Sequence, residues 1–284
     1  MLKQRIITAL VLLAILLPAT FYTTAVPFGV VTLVLMACAA WEWAHINGYG
    51  KGAALLSGGA CAVLCAGVWY GGLPYVNLGS LWMVVGAFWV LAGSWTLRAG
   101  VSAWKTYPPA LRLLGGLLLL WAAWLAVMQA RVVGVNFLLS VLALVWAADI
   151  GAYFCGRALG GKVFAYKLAP SISPGKTWEG AIGGMVAVFV LALIWMVLET
   201  QTGAQSTSIY ARLRAMGSPL LSVGLVFLVA MSIVGDLVES LFKRAAGVKD
   251  SSNLLPGHGG VLDRVDALLP TLPLAMMLVS GGMQ

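Results

Sequence analysis

Apolar residues in this chain gather into long runs separated by short polar stretches. Nine runs can be read, at roughly 6–22, 28–46, 53–70, 78–97, 111–129, 132–154, 181–198, 219–242 and 262–280. Each is close to the length, about 20 residues, at which a helix crosses a bilayer. Helices satisfy their own backbone groups in lipid, so the pattern predicts an all-α polytopic membrane protein of about nine spans. Glu42 and Asp149 interrupt the second and sixth runs near one end, and a tight turn around Arg131 separates the fifth from the sixth. Glu42 lies between Trp41 and Trp43 and reads as part of an interfacial aromatic belt, without assigned chemistry. Lys3 and Arg5 ahead of the run from Ile6 resemble a signal peptide, but the segment is read as an uncleaved first span. The expected organisation is one integral membrane domain over 1–284: residues 1–131 carry no catalytic motif, and 132–284 hold the catalytic helices and loops.

Composition agrees. The chain is 61% hydrophobic and 9% charged, against about 25% charged in soluble domains. The net charge of +8 does not indicate nucleic acid, because the basic residues are distributed among the loops. With the N-terminus in the cytoplasm, fourteen Lys and Arg fall on that side, and only Arg131, Arg212 and Arg214 fall on the other. The positive-inside bias therefore predicts an N-terminus in and a C-terminus out, in the cell (inner) membrane. Cys38, Cys61, Cys65 and Cys155 form no metal-like cluster with His and read as small buried side chains.

The charge distribution singles out one region. Nine of the 26 charged residues fall between Asp236 and Asp266. Asp236, Glu239, Ser240 and Lys243 recur at i, i+3, i+4 and i+7 on one helix stripe. An acid at membrane depth costs a few kcal/mol, so Asp236 should be paired, metal-bound or facing water. Asp263 and Asp266 begin the ninth span, where they can join Asp236 around a hard cation or cap the helix. Pro256-Gly257-His258-Gly259-Gly260 permits a compact turn with amides directed at an anion. Lys243, Arg244, Lys249 and Arg264 are candidate phosphate contacts or positive-inside anchors.

A second loop, 155–180, faces the same side. Its Gly175-Lys176-Thr177 resembles the end of a phosphate-binding Walker loop. That pattern needs Gly where Pro170 stands, and a preceding strand that is not expected here. Ser173, Lys176 and Thr177 remain as donors at a helix N-terminus, a general anion site. Asp149 and Tyr153 lie one turn apart. Asp149 either pairs with Arg157 or lines a polar ligand pocket.

The stretch 240–266 resembles the signature of the phosphatidate cytidylyltransferases, or CDP-diacylglycerol synthases. It is carried by Ser240, Lys243, Arg244, Lys249, Asp250, Pro256, Gly257, His258, Gly259, Gly260, Asp263, Arg264 and Asp266. Upstream, Asp149-Ile150-Gly151-Ala152-Tyr153, Gly156-Arg157 and the run from Ser173 to Gly180 are similar to the same family, except that Gly175 stands where many members have a basic residue.

The resemblance implies CTP and phosphatidic acid as substrates, and CDP-diacylglycerol and pyrophosphate as products, in phospholipid biosynthesis. It implies Mg2+ held by Asp236, Asp263 and Asp266, in some members with a second cation such as K+. It implies Lys243, Arg244 and His258 beside the metal ligands as catalytic groups. Substrate contacts would come from Asp149, Tyr153, Ser173, Lys176, Thr177, Ser240, Lys249, Asp250, Gly259, Gly260 and Arg264, in a homodimer. The competing readings are a CTP-dependent lipid kinase, which releases CDP, an ion-coupled transporter relaying through Asp149 and Asp236, and a non-catalytic scaffold.

Overall fold

The computed structural model describes residues 2–280. Twelve α-helices follow one another: α1 (Leu2–Phe21), α2 (Val26–Ile46), α3 (Lys51–Tyr70), α4 (Gly79–Phe88), α5 (Ser94–Trp104), α6 (Pro109–Val133), α7 (Val135–Leu159), α8 (Trp178–Thr202), α9 (Ile209–Met216), α10 (Ser218–Ala246), α11 (Leu262–Val265) and α12 (Leu268–Ser280). A π-helical turn, Trp89–Gly93, joins α4 to α5 into one rod that kinks at Gly100, whose φ is 80°. Among the described residues, eight helices are long and apolar enough to cross a membrane, counting this rod as one. They match the first eight runs of the sequence.

The ninth run is divided. α11 makes a single turn, and the chain re-forms as α12, which has 13 residues. At 1.5 Å per residue α12 is about 20 Å long, short of the roughly 30 Å hydrocarbon core. It packs against α4, α6 and α10, with Leu269 through Met276 all buried. Pro270 and Pro273 are tolerated in this helix because its surroundings are protein rather than lipid. By contrast, α1 exposes Ile6, Leu10, Leu13 and Leu17 outward, as a lipid-facing helix should.

Small residues set the closest helix pair. α7 and α8 approach so tightly that a Cβ on Gly151 would lie 2.8 Å from the Gly183 carbonyl, and one on Gly184 would lie 2.5 Å from the Ala148 carbonyl. Such stripes let backbones pack without hydrophobic drive in lipid. Here they draw Asp149 on α7 toward the start of α8.

The loop between these helices holds a two-stranded antiparallel hairpin, β1 (Lys167–Ala169) and β2 (Ser173–Thr177). A strand does precede α8, contrary to the expectation from sequence. It is not a phosphate-loop strand, since Lys176 and Thr177 lie within it rather than in a glycine loop after it. The sequence concealed it because Ser-Pro-Gly has low strand propensity; pairing with β1 decides the conformation.

Replacing Gly184 with Leu should force α7 and α8 apart. The expected cost is about 1–3 kcal/mol, read as a lower thermal unfolding midpoint in detergent together with loss of ligand binding between the two helices. An unchanged midpoint would contradict the close packing described.

Candidate active site

Two groups of charged side chains meet at one end of α10. The first surrounds Asp263. Lys243, buried near the end of α10, pairs with Glu239 one turn earlier and with Asp263 Oδ1 at 2.5 Å. Asp263 Oδ2 accepts from the Ser251 amide (2.9 Å), the Ser251 hydroxyl (2.8 Å) and the Gly260 amide (2.7 Å). The glycine turn does form, with positive φ at Gly257 (77°) and Gly259 (84°) and a backbone bond from Leu255 N to Gly259 O. Its Gly260 amide is directed at the chain's own carboxylate, which fills the anion position anticipated from the sequence.

Lys243 is the one cation shared by the buried acids Glu239 and Asp263 in this group. Removing the ammonium leaves both acids without their counter-charge, a loss of about 3–5 kcal/mol.

The second group lines a cavity of about 290 Å³ between α7, the hairpin, α8 and α10. Asp149, Tyr153, Lys176, Thr177 and Asp236 are in its wall. Lys176 Nζ lies 2.6 Å from Asp236 Oδ2, joining the hairpin to α10. Ser240 donates to Asp236 Oδ1 at 3.3 Å, as the i, i+4 spacing predicted. Asp266 follows α11, its backbone carbonyl packed against α10 beside Gly235 and its side chain accepting from the Ala267 amide at 2.7 Å.

The remaining candidates take varied positions. Arg244 donates to the carbonyls of Ile172 (3.4 Å) and Val248 (3.2 Å), tying the hairpin to the end of α10. Thr177 caps α8, its hydroxyl accepting from the Gly180 amide at 3.1 Å. Arg157 donates to the Tyr153 hydroxyl at 2.9 Å rather than pairing with Asp149, which leaves Asp149 to the cavity. Lys249, Asp250 and Arg264 are exposed, and Ser173 is half-buried on β2. His258 is half-buried, and its Nδ1 has no partner.

Glu42 corrects the reading from sequence. It is fully buried, not in an interfacial belt. Its Oε1 accepts from the Ser252 hydroxyl (2.6 Å) and the Val261 amide (2.9 Å). Its Oε2 accepts from the Ser251 hydroxyl (3.2 Å) and the Leu262 amide (2.7 Å). Four donors stabilise the carboxylate without a cation, and Ser251 connects it directly to Asp263. The N-terminal helices therefore do supply a site residue. The available signal was an acid in an apolar run; the flanking tryptophans pointed the other way. Glu179 has a parallel role, its Oε1 accepting from the amides of Gly161 (3.0 Å), Val163 (3.1 Å) and Phe164 (3.0 Å).

The donor set fits a hard cation. Asp149 and Asp236 offer carboxylate oxygens to one cavity, and the Lys176 ammonium already lies on Asp236 as a cationic counterpart. Among the described residues no three metal-ligating side chains converge, so such an ion would complete its shell with water and phosphate oxygens, the usual habit of Mg2+. Asp263 fits less readily, because both its oxygens are already occupied by donors.

Carboxylates, lysines and a glycine turn thus meet at one end of a bundle of membrane-length helices. A profile of the Cytidylyltransferase family matches residues 3–281. The chain is 40% identical over 294 residues to a protein from Pseudomonas aeruginosa named phosphatidate cytidylyltransferase, covering 99% of this chain and 98% of that one. Proteins of the same name from Haemophilus influenzae and Bacillus subtilis are 51% identical over 140 residues and 41% identical over 147 residues. These matches cover 49% and 52% of this chain, and 44% and 48% of those proteins. The chain belongs to the cytidylyltransferase family.

Glu42→Gln should loosen the turn without unfolding the bundle, because an N–H then faces another donor. Amide hydrogen exchange at Val261 and Leu262 is expected to rise about tenfold or more. Unchanged exchange there would show that Glu42 does not hold the loop.

Proposed function

We propose that this protein transfers a cytidylyl group from CTP to phosphatidic acid, giving CDP-diacylglycerol and pyrophosphate. The observation that carries the reading is the Lys176–Asp236 ion pair at 2.6 Å. It joins the first basic loop to α10 over a polar cavity, in a chain that resembles a named phosphatidate cytidylyltransferase along 99% of its length.

In the reaction, a phosphate oxygen of phosphatidic acid attacks the α-phosphorus of CTP. The bond from that phosphorus to the bridging oxygen breaks, and pyrophosphate leaves with the electron pair. The attacking oxygen is already anionic, so no general base is required. Bringing two anions together is the main obstacle, and positioned positive charge lowers it. Lys176, Arg264 and Lys249 would contact phosphate groups, with Arg244 holding the hairpin against α10. Lys243 would orient the signature turn and, once displaced from its acids, face phosphate, while His258 would contact phosphate from the turn. Ser173, Thr177, Asp149 and Tyr153 would bound the nucleotide, Ser240 would steady Asp236, and Asp250, Gly259 and Gly260 would contribute from the signature turn.

Asp236 and Asp266, with Asp149 or Asp263, would hold Mg2+, which when bound supplies charge neutralisation at the phosphates. A second cation such as K+, a homodimeric assembly, and a site on the cytoplasmic side of the inner membrane complete the proposal.

Purified protein with Mg2+, CTP and phosphatidic acid should release pyrophosphate and form a CDP-lipid; release of CDP instead would identify a lipid kinase. Asp263→Asn should lower turnover by about 100-fold or more with the helix bundle retained, since Glu239 still pairs with Lys243, while the turn that the carboxylate held loosens. Near-normal turnover would remove Asp263 from the chemistry.

Topology has its own test. In a background lacking the native cysteines, Asp250→Cys should react with an impermeant maleimide only from the cytosolic side, and Gln205→Cys only from the opposite side. Labelling of both from one side would refute the assigned orientation.

A further inference from the structure

A second cavity, of about 760 Å³, lies on another face of α10. This is within the usual size of ligand sites, about 300–1,000 Å³. Its walls are the α4–α5 rod, α6 and α10, and Trp43, Trp89 and Phe242 dominate its lining. Its outer rim is formed by exposed apolar side chains, Val84, Phe88, Leu114 and Leu118, so it opens sideways toward lipid.

Charge is confined to one end. There the Arg112 guanidinium lies 5.9 Å over the Trp104 ring, and its buried Nε finds no acceptor. Along α6 the lining runs from Arg112 to Ala122, which is about 15 Å of helix and half of the roughly 30 Å hydrocarbon core. The charged end adjoins the candidate active site: Glu239, the ion partner of Lys243, and Leu262, the neighbour of Asp263, are both in the wall.

An apolar slot one leaflet deep, with a guanidinium at one end whose Nε is unpaired, is complementary to an amphipathic anion. Its wall is mostly aliphatic and aromatic, with few polar side chains, which suits an acyl chain better than a base and ribose. We propose that this cavity receives an acyl chain of the phosphorylated lipid substrate, with Arg112 facing the headgroup. The assignment rests on the function proposed above and adds the route by which the lipid reaches the site.

Gly115 gives a clean probe. It lines the cavity, and a Cβ there meets nothing within 4 Å, whereas a Cβ on the adjacent Gly116 would strike the Trp43 ring at 2.1 Å. Gly115→Phe therefore fills the slot without disturbing α6, and it replaces a poor helix former. Turnover is measured with dioleoyl and with dihexanoyl phosphatidic acid. The variant should lower kcat/KM for the long-chain lipid about tenfold or more relative to the short-chain one, with KM for CTP unchanged. Arg112→Ala should raise KM for lipid alone, and Arg112→Lys should partly restore it.

An unchanged chain-length ratio in an active variant overturns the proposal. So does conversion of a dimer to monomers with that ratio preserved, because a second copy of the chain then occupies the groove. Binding of spin-labelled phosphatidic acid, measured without CTP, separates the two readings. If wild-type protein makes no CDP-lipid, the proposed reaction fails, but weaker binding to Gly115→Phe still supports the slot. Equal binding by both proteins removes it.

Discussion

The arrangement depends on the Asp263 carboxylate, which gathers an ammonium, two backbone amides and a hydroxyl at the end of α10. A charged group at this depth is tolerable only when paired and hydrogen-bonded. Lys243 supplies the charge, and the turn supplies the amides. Because both oxygens are occupied, the turn, α10 and α11 are fixed relative to one another by a single side chain. The same contacts hold Lys243 away from solvent, so its ammonium serves the internal balance of the site before any ligand arrives.

Carboxylates organise both loops. Glu179 collects three amides of the loop after α7, and Glu42 collects two amides and two hydroxyls of the loop after α10. Among the described residues neither has a cation partner. Irregular backbone near a membrane must find its own hydrogen-bond partners, and a carboxylate can accept several at once. The loops are therefore ordered by acids while their lysines and arginines remain closer to the surface, where phosphate would meet them.

Much of this was legible in the sequence. The apolar runs located the long helices within a few residues, because hydropathy in a bilayer is a strong constraint. The i, i+4 stripe from Asp236 to Lys243 was read correctly, since helical spacing alone determines it. The hairpin before α8 was missed because its pairing with β1 is tertiary. Glu42 was missed because its partners lie 209 to 220 positions away, and no local pattern records them. The break between α11 and α12 was also hidden, since an apolar run carries no mark of where protein replaces lipid around it. That Asp263 and Asp236 sit in different charge groups likewise follows from packing rather than from spacing.

The turn at Gly257 is also held from the far end of the chain. Arg5 donates to the Gly257 carbonyl at 2.9 Å and Thr8 to the Pro256 carbonyl at 2.9 Å, across separations of 252 and 248 residues. Contacts so distant in sequence form only after the long intervening stretch has been synthesised. During translation α1 thus waits in the bilayer without its counterpart, and the glycine turn acquires its shape only when these two distant segments meet.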